Sequence, residues 1–156
     1  GNTLYYMDFS QRTVYKTNIH TGKSTLVLGN EEDSSTRYYG LTETDGKLYY
    51  VKCKGWSKFI VYMYRKGKKD KKIYKFNLGD SIAYCIKSES GKIIIHYRDD
   101  KREKDSIIIY DIKSFVVSKI ENIKGFYDLV YIAGDMVFYA GMTDMEYDRY
   151  LSSLAY

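Results

Sequence analysis

The residues that most often do chemistry in proteins are few in this chain, and their spacing matches no catalytic or metal-binding motif. There are two histidines and two cysteines. His20 stands beside the turn "NIHTGK" and is predicted to be solvated, whereas His96 lies in a strand and is predicted to pack there or at a sheet edge. A zinc site needs more Cys and His ligands at closer spacing. The sequence therefore predicts no metal, no cofactor and no catalytic residue.

The two cysteines, Cys53 and Cys85, are too few for a disulfide scaffold and lack a redox or protease motif. Each is predicted to be a small buried hydrophobic residue. A Cys53–Cys85 disulfide is the alternative, and it requires that the two residues face each other on neighbouring sheets.

One segment carries much of the positive charge of a chain whose formal net charge is +5. The segment is "RKGKKDKK" at 65–72, here called the basic tract. It is predicted to be either a solvated hairpin tip whose lysines block edge pairing, or a contact for an anionic polymer or lipid surface. Nucleic acid is not expected, since the flanking tyrosines alternate as strand residues do. The basic residues of the tract are Arg65, Lys66, Lys68, Lys69, Lys71 and Lys72.

The elements that position these residues are predicted from a repeat. The stretch "DGKLYYVK" from Asp45 returns as "SGKIIIHY" from Ser90 and "GDMVFYAG" from Gly134. When the three copies are aligned on their turn glycines, similar apolar or tyrosine residues fall at equivalent positions. These positions are spaced two residues apart on each side of the turn, which is the strand period. The positions hold Tyr39, Tyr84 and Tyr127; Leu41, Ile86 and Leu129; Leu48, Ile93 and Met136; and Tyr50, Ile95 and Phe138.

Alternation interrupted by a glycine-containing turn predicts a β-hairpin in each copy. We expect 37–44 to pair with 47–53, 82–88 with 92–97, and 126–132 with 135–140. A third strand is predicted at "TVYKTNI", "KIYKFNL" and "IIIYDIK", and a fourth at "STLVLG" and "SFVVSKI". The segment "SKFIVYMYRKGKKDKKIYKFNL" is also predicted to form a long hairpin with the basic tract at its tip.

Four short strands in each repeat of roughly 45 residues are typical of a propeller blade. The predicted fold is all-β and β-propeller-like, a single domain with up to four antiparallel strands per blade and units at roughly 1–36, 37–80, 81–124 and 125–156. Two alternatives stay open: about four blades, or a segment of a larger propeller whose open blade edges self-associate. The 19 tyrosines favour β-structure, and no apolar run is long enough to span a membrane.

The stretch "LYYMD", followed by "VYKTNIHTGKSTLVL", resembles the YWTD-type propeller repeat of lipoprotein-receptor ectodomains and of bacterial YWTD-like propeller domains of uncharacterised function. Tyr5, Tyr6, Met7 and Asp8 stand where that repeat has Tyr, Trp, Thr and Asp. The resemblance implies that Asp8 ties neighbouring blades together. It also implies a non-catalytic binding scaffold located outside the cell or in a bacterial cell envelope.

The function predicted from these observations is a binding module for a protein or polysaccharide partner. Propeller ligands bind where loops between blades converge, which predicts contacts by Arg37, Tyr38, Tyr39 and Trp56. An exposed Trp56 would stack on a sugar, whereas a buried one would serve packing. The alternatives are an assembly segment of a larger propeller, or a hydrolase or lyase on a propeller scaffold.

Overall fold

A computed structural model of the chain describes residues 2–8, 10–29, 32, 34–54, 58–79, 81–99, 104–123, 126–133 and 136–142. Within these ranges the chain forms strands and no helix, so the all-β prediction is confirmed. Four antiparallel sheets account for the strands, and within each sheet the strands lie in chain order. Closure of the sheets around a common axis stays a prediction.

The first sheet has three strands and the second has four. The first contains β1 (Thr3–Met7), β2 (Thr13–Asn18) and β3 (Ser24–Gly29), and the second contains β4 (Thr36–Thr44), β5 (Lys47–Lys54), β6 (Lys58–Met63) and β7 (Lys71–Lys75). The third sheet again has four strands: β8 (Ile82–Glu89), β9 (Lys92–Asp99), β10 (Lys104–Asp111) and β11 (Val117–Ile123). The last pairs β12 (Phe126–Ala133) with β13 (Met136–Met142).

The three predicted hairpins are confirmed as β4–β5, β8–β9 and β12–β13. In the first two, both turn residues have positive φ: 51° and 69° at Asp45 and Gly46, and 49° and 73° at Ser90 and Gly91. That is the type I′ geometry, whose twist matches the twist of the flanking strands. The alternating pattern and the turn chemistry therefore agree on these pairings.

The third-strand prediction is wrong for "KIYKFNL". The segment forms β7, the fourth strand of its sheet, because "KFIVYM" at 58–63 pairs with β5 and takes the third place. The long hairpin predicted for 57–78 is confirmed as β6–β7. The strand predicted to begin at Ser114 begins at Val117, because 112–114 form a turn. The predicted last strand or helix at 143–156 lies outside the described residues.

Bulges recur at equivalent places in the sheets. The first strand of every predicted hairpin contains one, between Tyr39 and Thr42, between Ala83 and Cys85, and between Tyr127 and Leu129. The pairing of the last two strands also shifts register in the first and second sheets. The shift lies between Val14 and Tyr15 in the β2–β3 pair and between Val61 and Tyr62 in the β6–β7 pair. A bulge bends a strand and increases its twist, so its recurrence shows that the repeat extends to three-dimensional shape.

A wide turn also recurs between the last two strands, in the first and third sheets. The carboxamide oxygen of Asn18 accepts hydrogen bonds from the amides of His20 and Thr21, and the Asp111 carboxylate accepts them from Lys113 and Ser114. The Ser114 amide is the main reason why the pKa of Asp111 is lowered. Both turns end in a residue with positive φ, Gly22 and Phe115, respectively.

The chain forms two compact units, Gly1–Gly79 (unit 1) and Asp80–Tyr156 (unit 2). The boundary between them lies one residue before the predicted boundary between the second and third repeat units, and the prediction of a single domain stays a prediction. In unit 1, a core of Val14, Tyr38 and Tyr50 packs with Met7 and Leu28, so it joins the first sheet to the second. In the described part of unit 2, one buried cluster consists of isoleucines: Ile94, Ile107, Ile109, Ile123 and Ile132.

Gly29, at the end of β3, has no room for a side chain. Its φ is 93°, and a Cβ atom there would lie 2.0 Å from the Arg12 carbonyl oxygen and 3.0 Å from the Tyr38 ring. Gly29→Ala should lower the free energy of unfolding by about 2–5 kcal/mol, because it combines backbone strain with overpacking. Urea denaturation measures the loss.

The matched control is Gly22→Ala. Gly22 also has positive φ, at 66°, but no atom lies within 4 Å of an added Cβ. We expect that variant to lose only about 1–2 kcal/mol, the cost of the left-handed conformation itself. Equal losses in the two variants would show that the Arg12 contact contributes nothing.

Candidate functional site

Of the four residues predicted to contact a ligand, the structure describes three, all on β4. Tyr38 is 5% exposed and packs edge-on against Tyr50 at 5.6 Å, so its ring belongs to the core of unit 1. Arg37 and Tyr39, its neighbours on β4, stand on the opposite face of the strand. Trp56 lies outside the described residues. Ligand contacts by Arg37 and Tyr39 stay a prediction.

Arg37 and Tyr39 have local roles in the second sheet. The Arg37 guanidinium donates to the carbonyls of Ser34 and Thr36, at 2.8 and 3.1 Å, respectively. Burial, followed by the nearby Cys53, raises the pKa of the Tyr39 phenol, and the Arg37 charge partly opposes that increase.

Asp8 shapes the loop between β1 and β2. Its carboxylate accepts hydrogen bonds from the Ser10 hydroxyl and from the amides of Arg12 and Thr13, the latter two at 2.8 Å. Burial opposes ionisation of this carboxyl group, but the hydrogen bonds prevail and lower its pKa to about 2. The same loop reaches the second sheet, because the Gln11 carbonyl accepts a 2.7 Å bond from the Tyr38 amide. A direct tie between sheets by Asp8 stays a prediction.

The histidines and cysteines show no catalytic arrangement in the described part of the chain. His20 is exposed in its turn, as predicted, and His96 is packed inside the third sheet, 1% exposed. Cys53 is buried, as predicted, and Cys85 is half-buried. The two cysteines belong to different units, and a disulfide between them stays a prediction. The described residues bring no three metal-ligating side chains together.

His96 has an acidic neighbour. Its Nε2 lies 3.4 Å from Oδ1 of Asp105, and both side chains are almost fully buried. The two residues lie on adjacent strands, β9 and β10, on the face that carries Ile94 and Ile107. A His–Asp pair so enclosed has no access to a substrate, which assigns it to the core.

A groove opens in unit 1 at one end of the core between the first two sheets. On the first sheet, Tyr5 pairs with Lys16 and Lys16 with Thr25, so these three side chains stand side by side on one face. Farther along that face, Met7, Val14 and Leu28 belong to the core. The groove is thus the continuation of the core to the surface, where lysine replaces aliphatic residues.

The second sheet supplies the opposite wall. This wall consists of Gly46 in the turn, Lys47 and the buried Leu48 at the start of β5, and Tyr64 and Lys66. The Tyr64 amide donates to the Leu48 carbonyl at 2.9 Å, which fixes the start of the basic tract beside β5. The volume is about 620 Å³, inside the roughly 300–1,000 Å³ range of ligand sites. We call this feature the lysine groove.

The basic tract is held in a defined conformation. Asp70, its acidic residue, accepts a 2.5 Å bond from the Tyr50 hydroxyl and a 2.9 Å bond from the Arg65 amide. The Arg65 guanidinium donates back to the Lys69 carbonyl, and the Lys68 amide donates to the Arg65 carbonyl. The tract is therefore anchored to the tyrosine stack of the core, where Tyr50 lies on Tyr62 at 5.7 Å.

The lysine groove is positively charged at its rim. Lys16, Lys47 and Lys66 are exposed, and the Lys16 ammonium lies 5.9 Å from the centre of the Tyr5 ring. Burial, followed by the Glu43 charge, raises the pKa of Tyr5. Among the described residues that line the groove, three are lysines and none is acidic, so the lining itself carries a net positive charge.

Sequence reasoning finds Lys66 but misses Tyr5, Lys16, Lys47 and Tyr64 as neighbours. It assigns Tyr5 to a strand motif and Tyr64 to packing. No local signal links positions so far apart in the chain, since the groove depends on how the first sheet packs on the second. The alternation of the β1 and β2 sequences does show that Tyr5 and Lys16 lie on the Val14 face, once their register is known.

Fold and site together define an all-β protein of repeated antiparallel sheets with a lysine- and tyrosine-lined groove in unit 1. No protein-family model matches the chain, and a comparison with curated proteins finds no match either. The resemblance to YWTD-type repeats accordingly stays a prediction. In the part of the chain that the structure describes, no helix has the length and apolar character needed to cross a membrane.

Proposed function

We propose that this chain is a non-catalytic, propeller-like binding module that recognises a glycan through the lysine groove. The observation that carries the proposal is the groove itself, a cavity of about 620 Å³ lined by Tyr5, Tyr64 and three lysines. Aromatic rings combined with a few polar groups are typical of ligand sites. A tyrosine offers a flat apolar face to a sugar ring while its hydroxyl stays hydrated.

The geometry favours binding over catalysis. The lining combines lysines, tyrosines and apolar side chains, and the acid–base candidates of the third sheet, His96 and Asp105, are enclosed in the core of unit 2. General acid–base chemistry needs such groups within hydrogen-bond reach of a substrate. This arrangement supports a module that holds a ligand without transforming it.

The first test is a screen of the purified chain on an array of bacterial and plant polysaccharides. We expect saturable binding to at least one glycan, and Tyr5→Ala should weaken it by about fivefold to tenfold, since a ring contact contributes about 1 kcal/mol. The control is Tyr6→Ala, which removes the next ring along β1, on the opposite face of the sheet. Saturable binding that Tyr5→Ala leaves intact would contradict the assignment to this groove.

A second candidate function is assembly. Leu4 and Tyr6 are exposed on the outer face of the first sheet, and within the described residues β1 pairs with β2 alone. An edge strand with exposed apolar side chains is a template for pairing with another chain. Sedimentation distinguishes the candidates: concentration-dependent dimers that Tyr6→Ala disrupts would favour assembly.

A further inference from the structure

The lysines around the groove are not neutralised by the described part of the protein. The lysine ion pairs of the described residues lie elsewhere, at Lys87, Lys92 and Lys119, whereas Lys16, Lys47 and Lys66 have no acid within ion-pair distance among those residues. The exposed lysines of the basic tract continue the same charge from Lys66 onward. Like charges gathered at one rim repel each other, and an anion bound there relieves the repulsion.

The charge is also held in place before any ligand arrives. Tyr50 and the Arg65 amide both bond Asp70, and Arg65 bonds the Lys69 carbonyl, so the loop that carries the lysines is fixed to the core. A preorganised site loses less conformational entropy on binding than a flexible one. The loop conformation therefore favours ligand capture over the role of a loose, solvated tip.

Building on the proposed function, we infer that the ligand of the lysine groove is an acidic polysaccharide, a sugar chain bearing repeated carboxylate or phosphate groups. One sugar would lie between Tyr5 and Tyr64, and the anionic groups of the following sugars would contact Lys66 and the basic tract. Lysine suits this ligand because its ammonium group is a rotating point charge, which tolerates irregularly placed anions better than a fixed guanidinium fork does.

The test compares polygalacturonate with its fully methyl-esterified form, which keeps the sugar chain and removes its charge. Calorimetry at low salt should detect binding to polygalacturonate and no binding to the esterified form. Lys16→Gln combined with Lys66→Gln should weaken that binding by about 25-fold, about fivefold per lysine. The matched control, Lys54→Gln with Lys58→Gln, removes two exposed lysines of the second sheet that do not line the groove, and should change affinity by less than about twofold. Inorganic polyphosphate is the third probe.

The outcomes separate this inference from the proposed function. Equal binding of the esterified polymer, unaffected by the groove lysines, would overturn the inference and leave glycan recognition standing. Binding of polyphosphate as tight as that of polygalacturonate would also overturn it, because the sugar would then contribute nothing. If neither polymer binds, the inference fails, and the array with Tyr5→Ala decides separately whether glycan recognition fails with it.

Discussion

Replacing His96 by leucine is expected to lower the free energy of unfolding of unit 2 by about 3–5 kcal/mol, because it leaves the buried carboxyl group of Asp105 without the imidazole beside it. The imidazole Nε2 now lies 3.4 Å from Oδ1 of Asp105, and both side chains are within a few per cent of full burial. A buried polar group that loses its polar neighbour is costly, because no water replaces that neighbour. Leucine fills most of the space of the imidazole, so the loss reports the polar contact rather than a cavity.

The double variant provides the control. The same face of the third sheet carries Ile94 and Ile107, so apolar side chains already fit there. His96→Leu combined with Asp105→Val should recover most of the stability, since a buried polar pair can often be replaced by well-packed apolar residues at little cost. Hydrogen exchange of peptides from β9 and β10 localises the effect to unit 2. A double variant as unstable as the single one would show that packing, not the loss of the polar contact, explains the effect.

The second large effect is expected at Tyr50, which is 3% exposed and contacts Tyr38 and Tyr62. Tyr50→Ala should lower the stability of unit 1 by about 3–5 kcal/mol, the usual cost of deleting a buried aromatic ring. Tyr50→Phe keeps the ring and removes the 2.5 Å bond to Asp70, so we expect about 1.5–3 kcal/mol, typical of a hydrogen bond to a charged group. Denaturant titration measures both, and Tyr6→Phe, which removes an exposed hydroxyl, should change stability by less than about 0.5 kcal/mol.

Tyr50 also predicts how unit 1 responds to alkali. Burial, followed by the hydrogen bond to Asp70, raises the pKa of the Tyr50 phenol well above its usual value near 10. The folded state therefore favours the neutral phenol. The stability that this preference supports is fully present below about pH 10 and is lost as pH rises further. Stability of the wild type should fall more steeply above pH 10 than that of Tyr50→Phe, and parallel slopes would contradict the assignment.

Hydrogen exchange in the basic tract of Tyr50→Phe tests the Tyr50–Asp70 hydrogen bond independently of the free energy of unfolding. Asp70 joins the tract to the core through the Tyr50 hydroxyl and the Arg65 amide. Loss of the hydroxyl should increase hydrogen exchange at 65–70 even where the rest of unit 1 stays folded. Unchanged exchange in that segment would mean that the loop holds its shape through its own backbone bonds.

The strands and hairpin turns of this protein were predictable because they depend on short-range signals. Alternating apolar residues define the faces of a strand, and Asp45–Gly46 or Ser90–Gly91 supply the positive φ angles of a two-residue turn. The segment "KIYKFNL" is the exception. It resembles "TVYKTNI" in sequence, yet it is the fourth strand of its sheet and not the predicted third. Its local pattern suits either place, and only its pairing with a neighbouring strand distinguishes a third strand from a fourth.

The sequence alone determined the all-β class of fold, the three hairpins and the position of the basic tract at a hairpin tip. Tertiary structure alone decided where a bulge changes the buried face of a strand and which distant residues meet. A bulge shifts the alternation partway along β4, so Tyr38 and Leu41 reach the same core although they stand three positions apart. Tyr5 and Lys16, which pair within the first sheet, meet Lys47 and Lys66 only because the second sheet packs against the first. Such contacts depend on register and on packing between sheets, which no short stretch of sequence encodes.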